Sequence, residues 1–234
     1  MKKLFILMLL LGSSFVQAVD CCPEQAENTG PVQADNTAPV RAADAGPART
    51  LLNQFSGDLV NLQLRFTQVV TAQNGAIQDQ TFGHAALQSP DKLNWVYGGD
   101  YPETIVADGK TVWIYDEELD QVTVKPQSAS VSDTPLLILT DISQLDEQFV
   151  VTELGDFENM QLLEMRSRGA ESEFERVLVG LDAEGIKMMV MEDAYSQRTE
   201  IRFTDMVKNG DIDPALFSFT PPKGVDVVGQ RPLE

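Results

Sequence analysis

Residues 89–122 read SPDKLNWVYGGDYPETIVADGKTVWIYDEELDQV. They include both tryptophans of the chain and three of its four tyrosines. Strand alternation places Trp95 and Tyr97 on one side of a strand and the apolar Val96 on the other. An antiparallel strand with one solvated face should be polar on that face. The second apolar face therefore belongs either to a second core or to a container for an apolar ligand.

The first 18 residues predict a secretory signal peptide. Lys2 and Lys3 precede the apolar run LFILMLLLG, and Ala18 ends a stretch of the small residues that signal cleavage requires. No later stretch approaches the roughly 18 apolar residues of a membrane-spanning helix. We therefore expect an exported chain with no stable membrane insertion.

Residues 19–48 predict a disordered tether, because they contain Pro, Ala, Asn, Asp and Gln and no aromatic residue. Cys21 and Cys22 lie in this tether, where adjacent cysteines cannot easily bridge each other. They are interpreted as exposed thiols, with acylation of Cys21 as the alternative. Asp20 fits a lipidation site badly, since that site requires a small uncharged residue. Residues 49–234 remain for one folded domain.

The chain is strongly acidic, with 36 Asp and Glu against 17 Lys and Arg and a net charge of −19. Removal of Lys2 and Lys3 with the signal peptide makes the mature chain more acidic still. Nucleic acids and anionic membrane surfaces both require basic patches. The charge therefore argues against nucleic-acid partners and favours partners with a basic surface.

Residues 49–60 predict an amphipathic helix that includes Phe55, and strand patterns dominate from residue 62 onward. Asn74-Gly75 and Asp108-Gly109 each predict a hairpin turn, and about ten antiparallel strands follow in meander order. Thr134-Pro135 can begin a short helical segment. The predicted fold is mainly β with short helices: a curved antiparallel sheet that forms an incomplete β-barrel covered by a helical lid.

The sequence offers little for catalysis. His84 is the only histidine, so a zinc site or a Ser-His relay would depend on it alone. No GxxxxGK[ST] or GxGxxG stretch occurs. The acidic groups 116–120 and 171–175 could include a glycosidase-like pair, which keeps a secreted hydrolase open as an alternative. We predict no catalytic residues, no metal and no cofactor.

Four motifs occur in order along the chain: SPDKLNW, IVADGKTVWIYDEELDQV, TPLLIL and FSFTPPKGVDVV. In combination they resemble the LolA family of periplasmic outer-membrane lipoprotein carriers, over residues 49–230. The resemblance implies a half-barrel with a helical lid over a hydrophobic cavity. It also implies a periplasmic chaperone that takes acylated lipoproteins from an inner-membrane ABC transporter to an outer-membrane receptor. We expect it to act as a monomer.

The resemblance also implies which residues meet the acyl chains, and one departure from the family pattern. The cavity and lid residues implied by it or expected from the sequence are Phe55, Leu93, Trp95, Trp113, Leu136, Leu137 and Leu139. At Ser89 the family usually has an arginine that holds the lid shut, and a hydroxyl cannot bridge as a guanidinium does. A regulatory lipid-sensing module of the same fold is a second hypothesis, which would need a further protein-binding domain.

Overall fold

The computed structural model describes residues 46–127, 142, 145–169 and 174–229. Its helices include α1 (Pro47–Ser56), α2 (Leu145–Gln148) and a 3₁₀ helix at Pro214–Phe217. The strands are β1 (Asn61–Thr71), β2 (Ile77–Gln88), β3 (Lys92–Tyr97), β4 (Glu103–Asp108), β5 (Thr111–Asp116), β6 (Gln121–Pro126), β7 (Phe149–Phe157), β8 (Met160–Ser167), β9 (Phe174–Asp182), β10 (Gly185–Asp193), β11 (Arg198–Lys208) and β12 (Asp226–Gly229).

All twelve strands belong to one sheet in the order β12-β6-β5-β4-β3-β2-β1-β11-β10-β9-β8-β7. Two meanders, β1 to β6 and β7 to β11, meet where β1 pairs with β11. Every pairing is antiparallel except the parallel contact of β12 with β6. The strands β12 and β7 end the sheet without pairing to each other, so the described strands form an open sheet. The prediction of a mainly β, incomplete antiparallel barrel is confirmed, with twelve strands against about ten.

The two predicted hairpin turns connect β1 to β2 and β4 to β5. Gly75 and Gly109 have φ of 82° and 98°, a conformation that glycine adopts without steric cost. The side chain of Asn74 accepts a hydrogen bond from the Ala76 amide at 3.0 Å. The Asp108 carboxylate accepts from the Lys110 and Thr111 amides, each at 2.8 Å. These local hydrogen bonds set the register of both hairpins.

Helix α1 begins and ends earlier than the predicted helix over 49–60. Pro47 occupies the first turn, where its missing amide hydrogen costs nothing. The helix ends at Ser56, and the amide of Gly57, the C-cap residue, donates to the carbonyl of Asn53 at 2.9 Å. Ala48, Leu52 and Phe55 are buried, where α1 packs against β7, β8, β9 and β10.

The opposite face of β3 to β6 carries a second hydrophobic core, which the segment after β11 covers. Trp113, Val106, Val122 and Val124 form this cluster. The Phe219 ring lies on it, with its centroid 5.8 Å from that of Trp113. Phe217 and Phe219 alternate along the sequence, a pattern typical of a strand. Phe217 instead ends the 3₁₀ helix, because Pro214 begins the turn and the Asp213 carboxylate accepts from the Ala215 amide at 2.9 Å.

On β8 to β11 the same outer face combines ion pairs with a small hydrophobic cluster, which includes Met160, Met188 and Val190. Glu164 accepts from Arg166 at 2.9 Å and from Arg176 at 2.6 Å. Burial works against the charge of Glu164, yet the two guanidinium groups hold the pKa of this carboxyl below its ordinary value. Arg198 and Arg202 pair with Glu200 in the same way. This half of the outer face therefore carries paired charges beside its hydrophobic cluster.

Candidate functional site

The inner face of β1 to β5 carries successive rows of side chains that the strand register aligns. A first row is entirely apolar: Leu62, Leu87, Leu93, Ala107 and Val112. A second is apolar as well: Leu64, Ala85, Trp95, Ile105 and Ile114. All ten belong to, or pack against, the largest hydrophobic cluster of the described residues. The two rows provide a continuous apolar lining. Leu93 and Trp95 belong to the same hydrophobic cluster as Phe55 of α1.

A third row changes character from aromatic to acidic. It runs from Phe66 through Gly83 and Tyr97 to Glu103 and Asp116. The Phe66 ring stacks on Trp95 of the second row with centroids 4.1 Å apart and planes at 28°. It also meets Tyr97 edge-on at 5.3 Å. Such pairs are favourable beyond the area that they bury.

Gly83 makes the aromatic stack possible. A Cβ atom at this position would lie 2.6 Å from the Phe66 ring and 2.0 Å from the carbonyl oxygen of Val96. Both distances are far below van der Waals contact. Only a glycine therefore lets the Phe66 ring lie over β2 and reach Trp95.

Beyond the aromatic row lies a polar position, Gln68, which is opposite Thr81 in the register of β1 and β2. Gln68 is 1 % exposed, and its side-chain oxygen accepts a hydrogen bond from the Tyr97 hydroxyl at 3.1 Å. Burial, and next the charge of Glu103, raise the pKa of Tyr97 far above its ordinary value. The phenol therefore keeps its proton and remains a donor to Gln68.

Phe55 belongs to α1 and contributes to the same cluster from the helix. The end of its ring is 2.7 Å from where a Cβ atom of Gly185 would be, so glycine at the start of β10 lets α1 pack closely. The helix is held there by Glu153 of β7, whose two carboxylate oxygens accept from the Ala48 and Arg49 amides at 3.0 and 2.8 Å. Arg49 adds a two-bond contact to Asp146 at 2.8 and 2.7 Å.

Trp113 does not share the face of Trp95. It pairs in register with Val106 and Val124 and belongs to the outer cluster under Phe219. Its indole N–H donates to the Asp108 carboxylate at 3.3 Å. The expectation that Trp113 lines the cavity disagrees with this geometry, because a shift of one residue along a strand reverses the face.

The remaining site predictions concern the turn after β2 and the lid. Ser89 follows β2 and is half-buried, and its amide donates to the carbonyl of Val60 at 2.9 Å. Leu136, Leu137 and Leu139 lie outside the described residues, as do Cys21 and Cys22. Their predicted roles stay predictions.

Residues 58–220 match the family model described as outer membrane lipoprotein carrier protein LolA. The chain belongs to the LolA family. The resemblance seen in its motifs is thereby confirmed. An outer-membrane lipoprotein carrier protein of Dechloromonas aromatica is 33% identical over 179 residues, which cover 76% of this chain and 86% of that protein.

A second LolA relative, the outer-membrane lipoprotein carrier protein of Xanthomonas campestris, is 36% identical over 183 residues, or 77% of this chain and 88% of that protein. Among solved structures, a LolA superfamily protein from Nitrosomonas europaea aligns with a TM-score of 0.45 at 12% identity, over 75% of this chain and 99% of that one.

Two features of this LolA-family site were missed from sequence. These are Gln68 and Gly83, and only Gln68 carried a signal, because it follows Leu62, Leu64 and Phe66 at alternate positions of β1 and interrupts that apolar series. A polar residue at the end of such a series points to the core face, where it needs a partner.

The acidic groups weighed for catalysis are partly described. Asp116 accepts from the Glu118 and Leu119 amides, each at 3.0 Å, and so shapes the turn between β5 and β6. His84 is exposed on β2. Within the described ranges, no group of three or more His, Cys, Asp or Glu side chains could hold a metal ion. None of the helices described is long and apolar enough to cross a membrane.

Proposed function

We propose that this chain is a periplasmic carrier of acylated lipoproteins. It takes them from an inner-membrane ABC transporter, shelters their acyl chains on the inner face of its open sheet, and passes them to an outer-membrane receptor. Membership of the LolA family supports the class of cargo. The observation on which the proposal depends is the continuous apolar lining formed by the first two rows of β1 to β5.

The energetics of acyl chains explain why a carrier needs such a lining. Each methylene moved from lipid into water costs about 0.8 kcal/mol, so a chain of about 16 carbons costs on the order of 12 kcal/mol. The apolar rows around Leu93 and Trp95 replace most of the contacts that the chain loses on leaving the membrane. Onward transfer then requires a receptor that binds the acyl chains more tightly than the carrier does, because a receptor of equal affinity would not drive the chains off the carrier.

The proposed acyl site consists of residues on the inner face of the sheet and of lid residues that cover them. Leu93 and Trp95 form the centre, and Phe55 extends it beneath α1. Leu136, Leu137 and Leu139 are proposed as part of the cover that shields the chains. Trp113 is left out, since it faces the outer core.

The two tryptophans allow a direct test in solution. Trp113→Phe leaves Trp95 as the single tryptophan on the inner face, and Trp95→Phe leaves Trp113 on the outer face. A lipopeptide with brominated acyl chains quenches only nearby indoles. We expect strong quenching of Trp95 and weak quenching of Trp113 at saturation. Equal quenching of both, or none of Trp95, would refute an acyl site on the inner face.

The transport role needs a cellular test. Depletion of the protein should leave outer-membrane lipoproteins in the inner-membrane fraction after density-gradient separation. A full-length copy supplied from a plasmid should restore their sorting. Unchanged lipoprotein sorting after depletion would refute the carrier function, whatever the chain binds in solution.

A further inference from the structure

Two nitrogen donors lie buried around Tyr97, the last aromatic residue of the third row before Glu103. Gln68 is 1 % exposed and Trp95 is 6 % exposed. Neither Gln68 Nε2 nor Trp95 Nε1 has a hydrogen-bond partner among the residues that the structure describes. Native proteins rarely leave buried polar atoms in this state, and an unpaired group calls for a functional explanation.

Tyr97 determines how these donors are presented. Its hydroxyl donates to Oε1 of Gln68 at 3.1 Å, which leaves the NH₂ group of the same amide without a protein acceptor. The Trp95 indole N–H lies near the same phenol, where it opposes the rise in the pKa of Tyr97, and this N–H has no hydrogen-bond partner among the described residues. Both donors therefore lie around one phenol group on the inner face.

The position of the donors suggests the chemistry of their ligand. The rows of Leu93 and Trp95 are apolar, whereas Glu103 and Asp116 occupy the far part of the third row. An acyl chain that lay in the apolar rows with its linkage toward the polar part of the third row would bring that linkage close to Tyr97. Such a linkage supplies a carbonyl oxygen, which has two lone pairs and no hydrogen of its own to donate.

We infer that Gln68 Nε2 and Trp95 Nε1 form a donor site for the carbonyl oxygen of an acyl linkage, ester or amide. This inference rests on the proposed carrier function and adds a polar specificity to it. The site distinguishes an acyl group from an alkyl chain without a carbonyl. It also disfavours a free fatty acid, because the negative charge of Glu103 repels a carboxylate at this position.

Four probes test the donor site on the full chain. Three are fluorescent soluble peptides that carry one hexadecyl-length chain, joined through an ester, an amide or an ether, and the fourth is free hexadecanoate as a competitor. Fluorescence anisotropy gives the dissociation constants. We expect the ester or the amide probe, or both, to bind about fivefold or more tightly than the ether probe, as one or two hydrogen bonds provide. The ester and amide arms identify which linkage is read.

Matched variants separate the donors from general packing. Gln68→Met removes one donor at similar side-chain shape and should bring the carbonyl-to-ether preference toward one while the ether probe still binds. Trp95→Phe removes the other donor together with part of the lining, so it should weaken binding of every probe and lower the carbonyl-to-ether preference as well. Gln63→Met is the control, because Gln63 lies on the other face of β1 and donates to the Asp211 carbonyl at 3.0 Å. It should keep the full preference.

The outcomes distinguish this inference from the carrier function. Equal binding of all three peptides, or a preference that survives in both Gln68→Met and Trp95→Phe, overturns the donor site and leaves the carrier proposal standing. Hexadecanoate that competes as well as the ester probe also counts against the site. If none of the acyl probes binds the wild-type chain, the carrier proposal falls and the donor site falls with it.

Discussion

Glu153 is predicted to be the main polar attachment of α1 to the sheet, and Glu153→Ala tests this role. The helix has Gly46 at its N-cap, and this residue offers no side-chain acceptor. Glu153 of β7 replaces it by accepting from the Ala48 and Arg49 amides with its two oxygens. One carboxylate thus caps the helix, meets the positive end of its dipole and joins two elements distant in sequence.

The expected loss follows from these contacts. Removal of a capping side chain costs about 1 kcal/mol, and hydrogen bonds to a charged group are worth about 1.5–3 kcal/mol each when partly buried. Water reaches part of this helix end, so we expect Glu153→Ala to lower the free energy of unfolding by about 2 kcal/mol. For a domain of this size that corresponds to a decrease in Tm of about 4–8 °C.

Thermal and urea unfolding followed by circular dichroism measure the loss, and hydrogen exchange of residues 47–56 locates it. Glu153→Gln keeps one carbonyl acceptor and should lose about half as much. Glu184→Ala is the control, because it removes only an exposed ion pair with Lys187. If Glu153→Ala is no less stable than Glu184→Ala and α1 exchanges at the wild-type rate, the capping role is wrong.

Four further predictions follow from the inner and outer faces. Gly83→Ala should lower the free energy of unfolding by about 2–3 kcal/mol in urea titrations, because the added Cβ atom would clash with the Phe66 ring and the Val96 carbonyl oxygen. Trp113→Leu should cost about 2–3 kcal/mol by the same assay and leave acyl-probe affinity unchanged, because it thins only the outer core. Burial and the charge of Glu103 raise the pKa of Tyr97. Above about pH 10 the unfolded chain therefore loses a proton that the folded chain keeps. The free energy of unfolding then falls by up to about 1.4 kcal/mol per pH unit. Tyr97→Phe should remove that share of the decline in unfolding curves measured from neutral to alkaline pH. Ser89→Arg should slow hydrogen exchange of residues 134–140 in the empty protein, because a guanidinium can bridge to the predicted lid.

Each of these predictions has a control and a contradicting result. Gly169→Ala meets nothing closer than 3.6 Å, and equal stability of the two alanine variants would contradict the clash at Gly83. Weakened acyl binding in Trp113→Leu would contradict the separation of the two faces. Tyr101→Phe, an exposed position, should leave the alkaline decline intact. Unchanged exchange of residues 134–140 in Ser89→Arg would show that an arginine there does not hold the lid.

Local signals predicted the strands and hairpins well, because alternation and Asn-Gly or Asp-Gly turns act over a few residues. They could not show which faces of successive strands coincide. Trp95 and Trp113 both alternate with apolar neighbours, and only the register across β3, β4 and β5 places them on opposite sides of the sheet. Pattern alone left a second core and a ligand container both open, and at Trp113 the surface is a second core.

The pairing of Gln68 with Tyr97 also lay beyond sequence reasoning, since 29 positions separate the two residues. Nothing in the local sequence of either residue indicates the other. Likewise, Glu153 is 105 positions from the amide of Ala48 that it caps. Such contacts depend on which strands are neighbours in the sheet, and that order is a property of the whole chain.

The central seam between β1 and β11 has a consequence for how the protein folds. Short hairpins connect successive strands from β2 to β6 and from β7 to β10. In contrast, β1 pairs with β11, at Arg198 to Lys208, which lies far away in the sequence. Long loops close slowly, and sheets with non-local pairing fold slowly as a result. The two halves can therefore assemble early, but they cannot join until nearly the whole chain is present. This late-forming seam is the middle of the finished sheet.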